Sequence, residues 1–350
     1  MGDQMTTKPP MKDELKTTPA TKADVRRAIM AEDRRLRAKY KVLAYQDSIG
    51  AAIITGALVL NLGLAVAYAL GGVPVIVAVL GIALGMSLLH EIEHDLIHNL
   101  YFSGNQRLQK AVLNLIWLVK LHANPFWRRK AHLRHHAKSG QLGDWEERLV
   151  GLGDRLGLRR LVTIVHPFGS GLYLKTVAAT DPEFDAEKTR QTNLPAGMGF
   201  AVLSTLGLLN LLLPEPLHRV VPQSIWVFVG WLNVVWIVPG VVRHVAITVM
   251  ATSVHYAGDI PSGEIRYENQ IIDHWLYLPL QAFCFNFGAT HVIHHYVAIQ
   301  PFYLRQMVSA KVRPVLLAAG VRHNDLGILR RANRWHGYLG NGTVEDANAA

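Results

Sequence analysis

Residues 51 to 89 carry no charged side chain. A bilayer core requires about 20 apolar residues per helix, so this stretch is long enough for two spans. Gly71, Gly72 and Pro74 supply the turn between them. The stretch does not sit at residue 1 and lacks a small-residue cleavage site, which argues against a signal peptide. Half of the 350 residues are hydrophobic, and such a chain belongs with membrane proteins. Further apolar runs complete four spans, at about 49 to 70, 73 to 90, 196 to 213 and 225 to 250. The expected fold is an all-α integral membrane protein, four transmembrane helices with a helical cap. Two shorter apolar runs, 111 to 119 and 276 to 289, suit interfacial or re-entrant helices.

The segment 1 to 25 is polar and reads as a disordered tail. Residues 26 to 48 carry Arg26, Arg27, Arg34, Arg35, Arg37, Lys39 and Lys41 and read as a basic interfacial helix. Residues 49 to 310 form the membrane domain and 311 to 350 a C-terminal segment. Of the 36 Lys and Arg, only Arg219 lies in either short outer turn. The positive-inside rule then puts both termini, the 91 to 195 segment and everything after 251 in the cytoplasm. The net charge of +10 is a topological signature, and with no phosphate loop or nucleic-acid motif present, nucleic acid is not a partner. A single cysteine, Cys284, excludes an intramolecular disulfide and a cysteine-ligated cluster, and reads as buried filler. No HPGG haem-loop string occurs, so electrons must come from another protein.

Ten of the 17 histidines gather in four places. They are His90, His94 and His98 in HEIEHDLIH; His132, His135 and His136 in HLRHH; His255 in SVHYAGD; and His291, His294 and His295 in HVIHH. HxxHH arises by chance at about 10⁻⁴ per position, so two copies call for a cause. On a helix His90 and His94 share a face, with His98 one turn further along. In each HxxHH the first two histidines, three apart, share a face, and the third, rotated by about 100°, addresses a neighbouring ion. All four groups fall on the cytoplasmic side of the hydropathy-derived topology. The remaining His122, His166, His218, His244, His274, His323 and His336 read as structural.

Imidazole suits Zn, Cu, Fe and Ni. Nine or ten histidines without paired cysteines suit two ions of higher coordination, and a site facing apolar spans suits O2-driven attack on unactivated C–H bonds, which redox-inert zinc cannot perform. Iron is the expected metal. Glu91, Glu93 and Asp95 are candidates to orient imidazole N–H groups or to ligate iron directly.

These residues resemble the membrane fatty acid desaturase and hydroxylase superfamily, whose signature is three histidine boxes, HxxxH or HxxxxH followed by two HxxHH. The boxes are His90 with His94; His132, His135 and His136; and His291, His294 and His295. His255 stands after the fourth span, where members often carry a further ligand. The resemblance implies two non-haem iron ions in a cytoplasmic cap, O2 as co-substrate, a bacterial inner-membrane setting, and two electrons from an external donor such as ferredoxin with its reductase. Relatives desaturate, hydroxylate or decarboxylate free fatty acids to terminal alkenes.

The expected activity is oxidation of a fatty acyl chain, as acid, thioester or membrane lipid, with desaturation first and hydroxylation or decarboxylation as alternatives. Arg128, Arg129, Lys130, Arg134 and Arg305 are candidate head-group anchors, because they adjoin the boxes and guanidinium binds carboxylate bidentately. Tyr256, Trp275 and Trp335 read as interfacial anchors. A histidine-rich metal transporter or sensor is the reading from another class; transport sites usually sit at the bilayer midplane, not at span ends.

Overall fold

The computed structural model describes residues 19–214, 219–261 and 263–336. Most of the expected N-terminal tail, His218 and the last fourteen residues lie outside them.

In chain order the helices are α1 (Lys22–Lys39), α2 (Gln46–Ala69), α3 (Val75–Ile97), α4 (Gln106–Lys120), α5 (Pro125–Lys138), α6 (Trp145–Leu149), α7 (Leu158–Val165), α8 (Leu174–Thr180), α9 (Ala186–Leu212), α10 (Gln223–Val254), α11 (Phe287–Tyr296) and α12 (Phe302–Ala318). A two-residue parallel pairing of Gln270–Ile271 with Arg322–His323 is the only sheet among the described residues.

Four helices, α2, α3, α9 and α10, are long and apolar enough to cross a membrane. They differ in what they face. Only 17% of the apolar window of α2 and 11% of that of α9 is buried, against 61% for α3. Leu62, Val66, Leu208, Leu211 and Leu212 point outward from the first two, as lipid-facing side chains do. Two glycines let α2 and α3 approach closely. A Cβ on Gly81 would stand 2.4 Å from Leu64 Cδ1, and one on Gly85 2.0 Å from Asn61 Oδ1. In α10 a π-turn, Asn233–Ile237, precedes Pro239, whose ring supplies no backbone N–H to the ladder.

Helix α3 packs against α4, α5 and α12, and α10 packs against α7 and α11. Asn124 caps α5 by accepting from the N–H groups of Phe126 and Trp127, and Pro125 takes the first helical position. The basic segment starts its helix at Lys22, with Thr21 and Asp24 closing a capping box. Its apolar side, Val25, Ile29 and Leu36, packs into the cluster that holds Leu304, Val308 and Val312 of α12. That face is therefore spent on protein contacts, not on headgroups, and α12 runs across the expected boundary at 310.

The 111 to 119 run lies in α4, which buries Leu113 and Ile116 and leaves Leu115 and Leu118 exposed. The 276 to 289 run is broken by Phe285 and Asn286 at φ of +44° and +57°. Of the three expected interfacial aromatics only Trp275 is exposed; Tyr256 is fully buried and donates its hydroxyl to Asp325, and Trp335 packs against it. Cys284 is buried, with Sγ 3.2 Å from Leu280 O.

Candidate metal centre

Eight histidines form two groups in which one ligand atom per residue lies within 4.8 Å of the others. The first holds His94, His98, His132 and His294; the second holds His135, His255, His291 and His295. His136 sits between them, its Nε2 3.2 Å from His132 Nε2 and 2.9 Å from His294 Nε2, its ring 4.8 Å from that of His295. Seven of the eight are buried; His98, at the end of α3, is half-buried.

Helix geometry explains the sorting, which differs from the expected one. A four-residue step turns about 40° past a full turn, and a three-residue step falls about 60° short. The i, i+4 partners therefore stay together: His94 with His98, His132 with His136, His291 with His295. The middle histidine of each HxxHH crosses over, His135 to the second group and His294 to the first. His90 is four residues from His94 and by helix geometry alone should join it, yet it stands in neither group. Lys120 Nζ lies 2.9 Å from its Nδ1 and Arg128 Nη2 3.2 Å from its Nε2, so its imidazole is held by cations.

The donor set fits a pair of metal ions. His135 donates Nδ1–H to Asp144 at 2.9 Å, His295 to Glu268 at 3.1 Å, and His255 to the Ala251 carbonyl at 2.8 Å. These bonds fix the tautomer and turn the Nε2 lone pairs inward. The Nε2 atoms then face one another, 3.2 Å from His135 to His295, 3.0 Å from His295 to His291, and 2.9 Å from His291 to His255. Lone pairs at that spacing call for positive charge among them. In the first group, His132 donates Nδ1–H to Glu146 at 2.5 Å, and both ring nitrogens of His94 are buried without a hydrogen-bond partner. His294 differs: its Nδ1 faces Arg305 Nη1 at 3.0 Å.

The field under the second group favours cations. Burial pushes His135 down, but Asp144, with Glu147 and Glu146 behind it, outweighs burial and raises it to about 10. Burial lifts Glu147 to about 8 and Glu268 to about 7. Asp144, Glu146, Glu147 and Glu268 escaped the sequence reading. The only signal for the first three was an acidic string, GDWEER, just after HLRHH in a basic region.

The acidic residues of the first box have other partners. Glu93 accepts from Lys120 and Arg128; Asp95 accepts from the Tyr101 hydroxyl, the Phe302 N–H and Arg305; Glu91 lies 3.7 Å from Arg305. Among the expected head-group anchors, Arg128 lines a cavity described below. Arg305 is buried against His294 and Asp95. Arg134 is bound to Asp181 and Glu183, Arg129 lies 3.3 Å from Gln109 Oε1, and Lys130 sits over the Trp145 ring.

Two cavities reach the histidines from different sides. One, of about 340 Å³, is lined by His94, His132, His135 and His291 together with an apolar wall that includes Trp127, Leu149, Phe168, Leu194, Ile247 and Phe287. The other, of about 370 Å³, touches His98, His136 and His295 and is rimmed by Lys22, Arg26 and Lys138. Of the histidines read as structural, His122 and His244 line the first cavity; His244 Nε2 lies 3.0 Å from the Thr163 carbonyl. His323 and His336 are exposed, His274 is half-buried, and His166 packs on Phe200.

The model of the family described as fatty acid desaturase matches residues 69–327, well over half of the chain. The chain belongs to the fatty acid desaturase family. Both histidine groups fall inside the matched range. As a member of this family it is an oxidoreductase of fatty acyl chains, and its histidine groups are able to hold the metal on which desaturases typically depend. Comparison with curated proteins returned no match.

Proposed function

We propose that this desaturase-family protein is a membrane enzyme that uses two iron ions and O2 to desaturate a fatty acyl chain. The observation that carries the reading is the pair of buried imidazole groups, joined through His136 and opening on an apolar cavity. His94, His98, His132, His136 and His294 would hold one iron, and His135, His255, His291 and His295 the other; His90 would hold neither. Bound iron supplies the one-electron chemistry with O2 that breaking an unactivated C–H bond requires.

The chain's own residues do the rest. Asp144, Glu146 and Glu268 orient the imidazoles through Nδ1. Trp127, Leu149, Phe168 and Leu194 line the cavity with apolar surface that keeps bulk water from the reacting methylenes. The balance is two vicinal C–H bonds, O2, two electrons and two protons giving one C=C bond and two water molecules. Hydroxylation and loss of CO2 from a free acid use the same centre, and the carbon presented to it selects among them. An external carrier would supply the electrons at the basic-rimmed second cavity, on the cytoplasmic side of a bacterial inner membrane.

The test is metal analysis and product analysis of purified protein. About two iron atoms per chain, O2 uptake dependent on a saturated fatty acyl substrate, and an unsaturated product by gas chromatography are expected. Iron-free active protein, or metal uptake without O2 consumption, overturns the reading.

A further inference from the structure

His255 is the one histidine of the second group that no helix carries. His135 belongs to α5, and His291 and His295 to α11, whereas His255 follows the last residue of α10 in extended conformation, φ −97° and ψ 141°. A helix fixes the direction of its side chains through its own ladder, and an extended residue needs partners from elsewhere. The ring is set by Nδ1, which donates to the Ala251 carbonyl, and its Nε2 lies 2.9 Å from that of His291. The backbone is held by a side chain 78 residues further along.

That side chain is Asn333, which is fully buried. Its Nδ2 donates to the His255 carbonyl at 3.0 Å and to the Thr252 carbonyl at 2.5 Å, and its own backbone carbonyl accepts from the Ala257 N–H at 2.9 Å. The Thr252 carbonyl is one of those that the last turn of α10 leaves without an intrahelical partner. Asn333 Oδ1 accepts from Arg160 Nη2 at 2.6 Å, and Arg160, buried on α7, donates through Nη1 to the Asp154 carbonyl. Both donors and the acceptor of the amide are thus committed. Asn333 has φ of +64°, a left-handed conformation that asparagine adopts more readily than most residues. Contacts on either side secure the segment: the Tyr256 hydroxyl donates to Asp325, the Trp335 ring packs on that of Tyr256, and the Trp335 and His336 N–H groups donate to Asp259. Asn333 lies beyond the residues 69–327 that the family model matches.

We infer that Asn333 is a positioning residue for the second metal group, holding the backbone of His255 so that its Nε2 stays among those of His135, His291 and His295. The competing role is plain stabilisation of the fold, and the two differ in what a change of donor does. Asn333→Asp keeps the left-handed turn and the acceptor for Arg160, but removes the two N–H groups that reach Thr252 and His255. Asn333→Gly keeps the turn and the bond from Ala257, and removes the amide altogether. A partner that orients a ligand contributes about 10- to 100-fold in metal affinity. Because His255 stands in one group only, the loss falls on one ion of two. The inference rests on the proposed metal pair for its ions, and on hydrogen bonds within the chain for its geometry.

The experiment measures iron(II) binding without O2 to the purified full chain by chelator competition, for the native protein, Asn333→Asp and Asn333→Gly. Melting curves of the metal-free proteins serve as fold checks. The native protein is expected to bind two irons, and each variant to hold one with native affinity and the other about 10- to 100-fold more weakly. Amide exchange of the native protein gives a second readout that needs no variant. If Asn333 secures His255, bound iron must in turn secure Asn333, so iron is expected to slow exchange across residues 328–336, none of which is a histidine of either group. Should the glycine variant fail to fold, the aspartate variant and the native exchange decide. Native affinity for both irons in Asn333→Asp, equal weakening of both, or unchanged exchange across 328–336 overturns the inference. Selective loss of one iron in a protein that consumes no O2 keeps Asn333 in this role and sinks the oxidation; full O2-dependent turnover by Asn333→Asp with both irons bound does the reverse. A native protein that binds no metal overturns both.

Discussion

Glu146 Oε2 lies 2.5 Å from Nδ1 of His132, and Asp144, two residues earlier, lies 2.9 Å from Nδ1 of His135. One short acidic stretch thus orients one imidazole in each metal group. The helix α5 presents the two histidines three residues apart, and the turn into α6 returns the carboxylates beneath them. Asp144 also caps α6 by accepting from the Glu147 N–H, which anchors the stretch independently of any metal.

Glu146→Gln keeps an acceptor but removes the charge, and the neutral amide holds the imidazole less firmly. Loss of such a partner costs about 10- to 100-fold in metal affinity or activity. Chelator competition on purified protein is expected to show weakened binding of about one of two irons, with the other little changed. Equal weakening of both would contradict the separate placement of His132 and His135.

His94→Ala and His90→Ala should behave differently. His94 sits in the first metal group with both ring nitrogens unpartnered, and His90 is held by Lys120, Arg128 and Arg243. The His94 variant is expected to lose about one iron per chain and at least 100-fold in turnover, consistent with catalytic groups that act as a unit. The His90 variant is expected to keep its full iron complement. Iron-to-protein ratios decide between them.

Iron affinity should rise with pH. His135 is raised to about 10, so near neutrality a chelator-stripped protein carries a proton there that iron must displace. Because the folded value lies above the ordinary histidine range, the stability that proton lends is full below about 6.5 and fades as pH rises toward 10. Glu268, raised to about 7, and Glu147, raised to about 8, act in the same direction over a lower window. Chelator competition between pH 6.5 and 8.5 is expected to show tighter binding at the alkaline end, up to about tenfold per pH unit for each proton released. A flat profile would show that iron does not displace that proton.

Gly288 opens α11, and a Cβ there would meet Met250 Cε at 2.3 Å and the Ile272 carbonyl oxygen at 2.8 Å. Gly288→Ala therefore lifts the helix that carries His291, His294 and His295. Overpacking of this kind costs about 1–3 kcal/mol. A drop of several degrees in melting temperature together with reduced iron content is expected; a native melting curve would show that Met250 and the backbone yield freely.

Electron delivery should depend on salt. Lys22, Arg26 and Lys138 rim the cavity that touches His98, His136 and His295. Lys22→Glu with Lys138→Glu is expected to slow turnover driven by an acidic carrier several-fold at low ionic strength, with a small chemical reductant unaffected. Equal loss with both reductants would point to damage at the histidines instead.

Much of the fold was readable in the sequence because a bilayer imposes its demands locally. Each span must satisfy its own backbone and be about 20 residues long, so hydropathy alone locates it. The four helices fall where the apolar runs put them, with ends that differ by a few residues; α9 begins ten residues earlier than expected because Asp185 caps a polar first part. The eight histidines of the two groups and His136 were likewise visible, since HxxHH repeated by chance is rare.

What the tertiary structure alone decided is which atoms meet. Sequence spacing gives a histidine its angle on one helix, but not the neighbours that other helices bring to it. His90 shares a face with His94, yet Lys120 of α4, Arg128 of α5 and Arg243 of α10 converge on it from three other elements. Asp144, Glu146 and Glu268 reach their imidazoles through turns and long separations that carry no periodic signature. Periodicity is a property of one element, whereas a metal site arises from the packing of several.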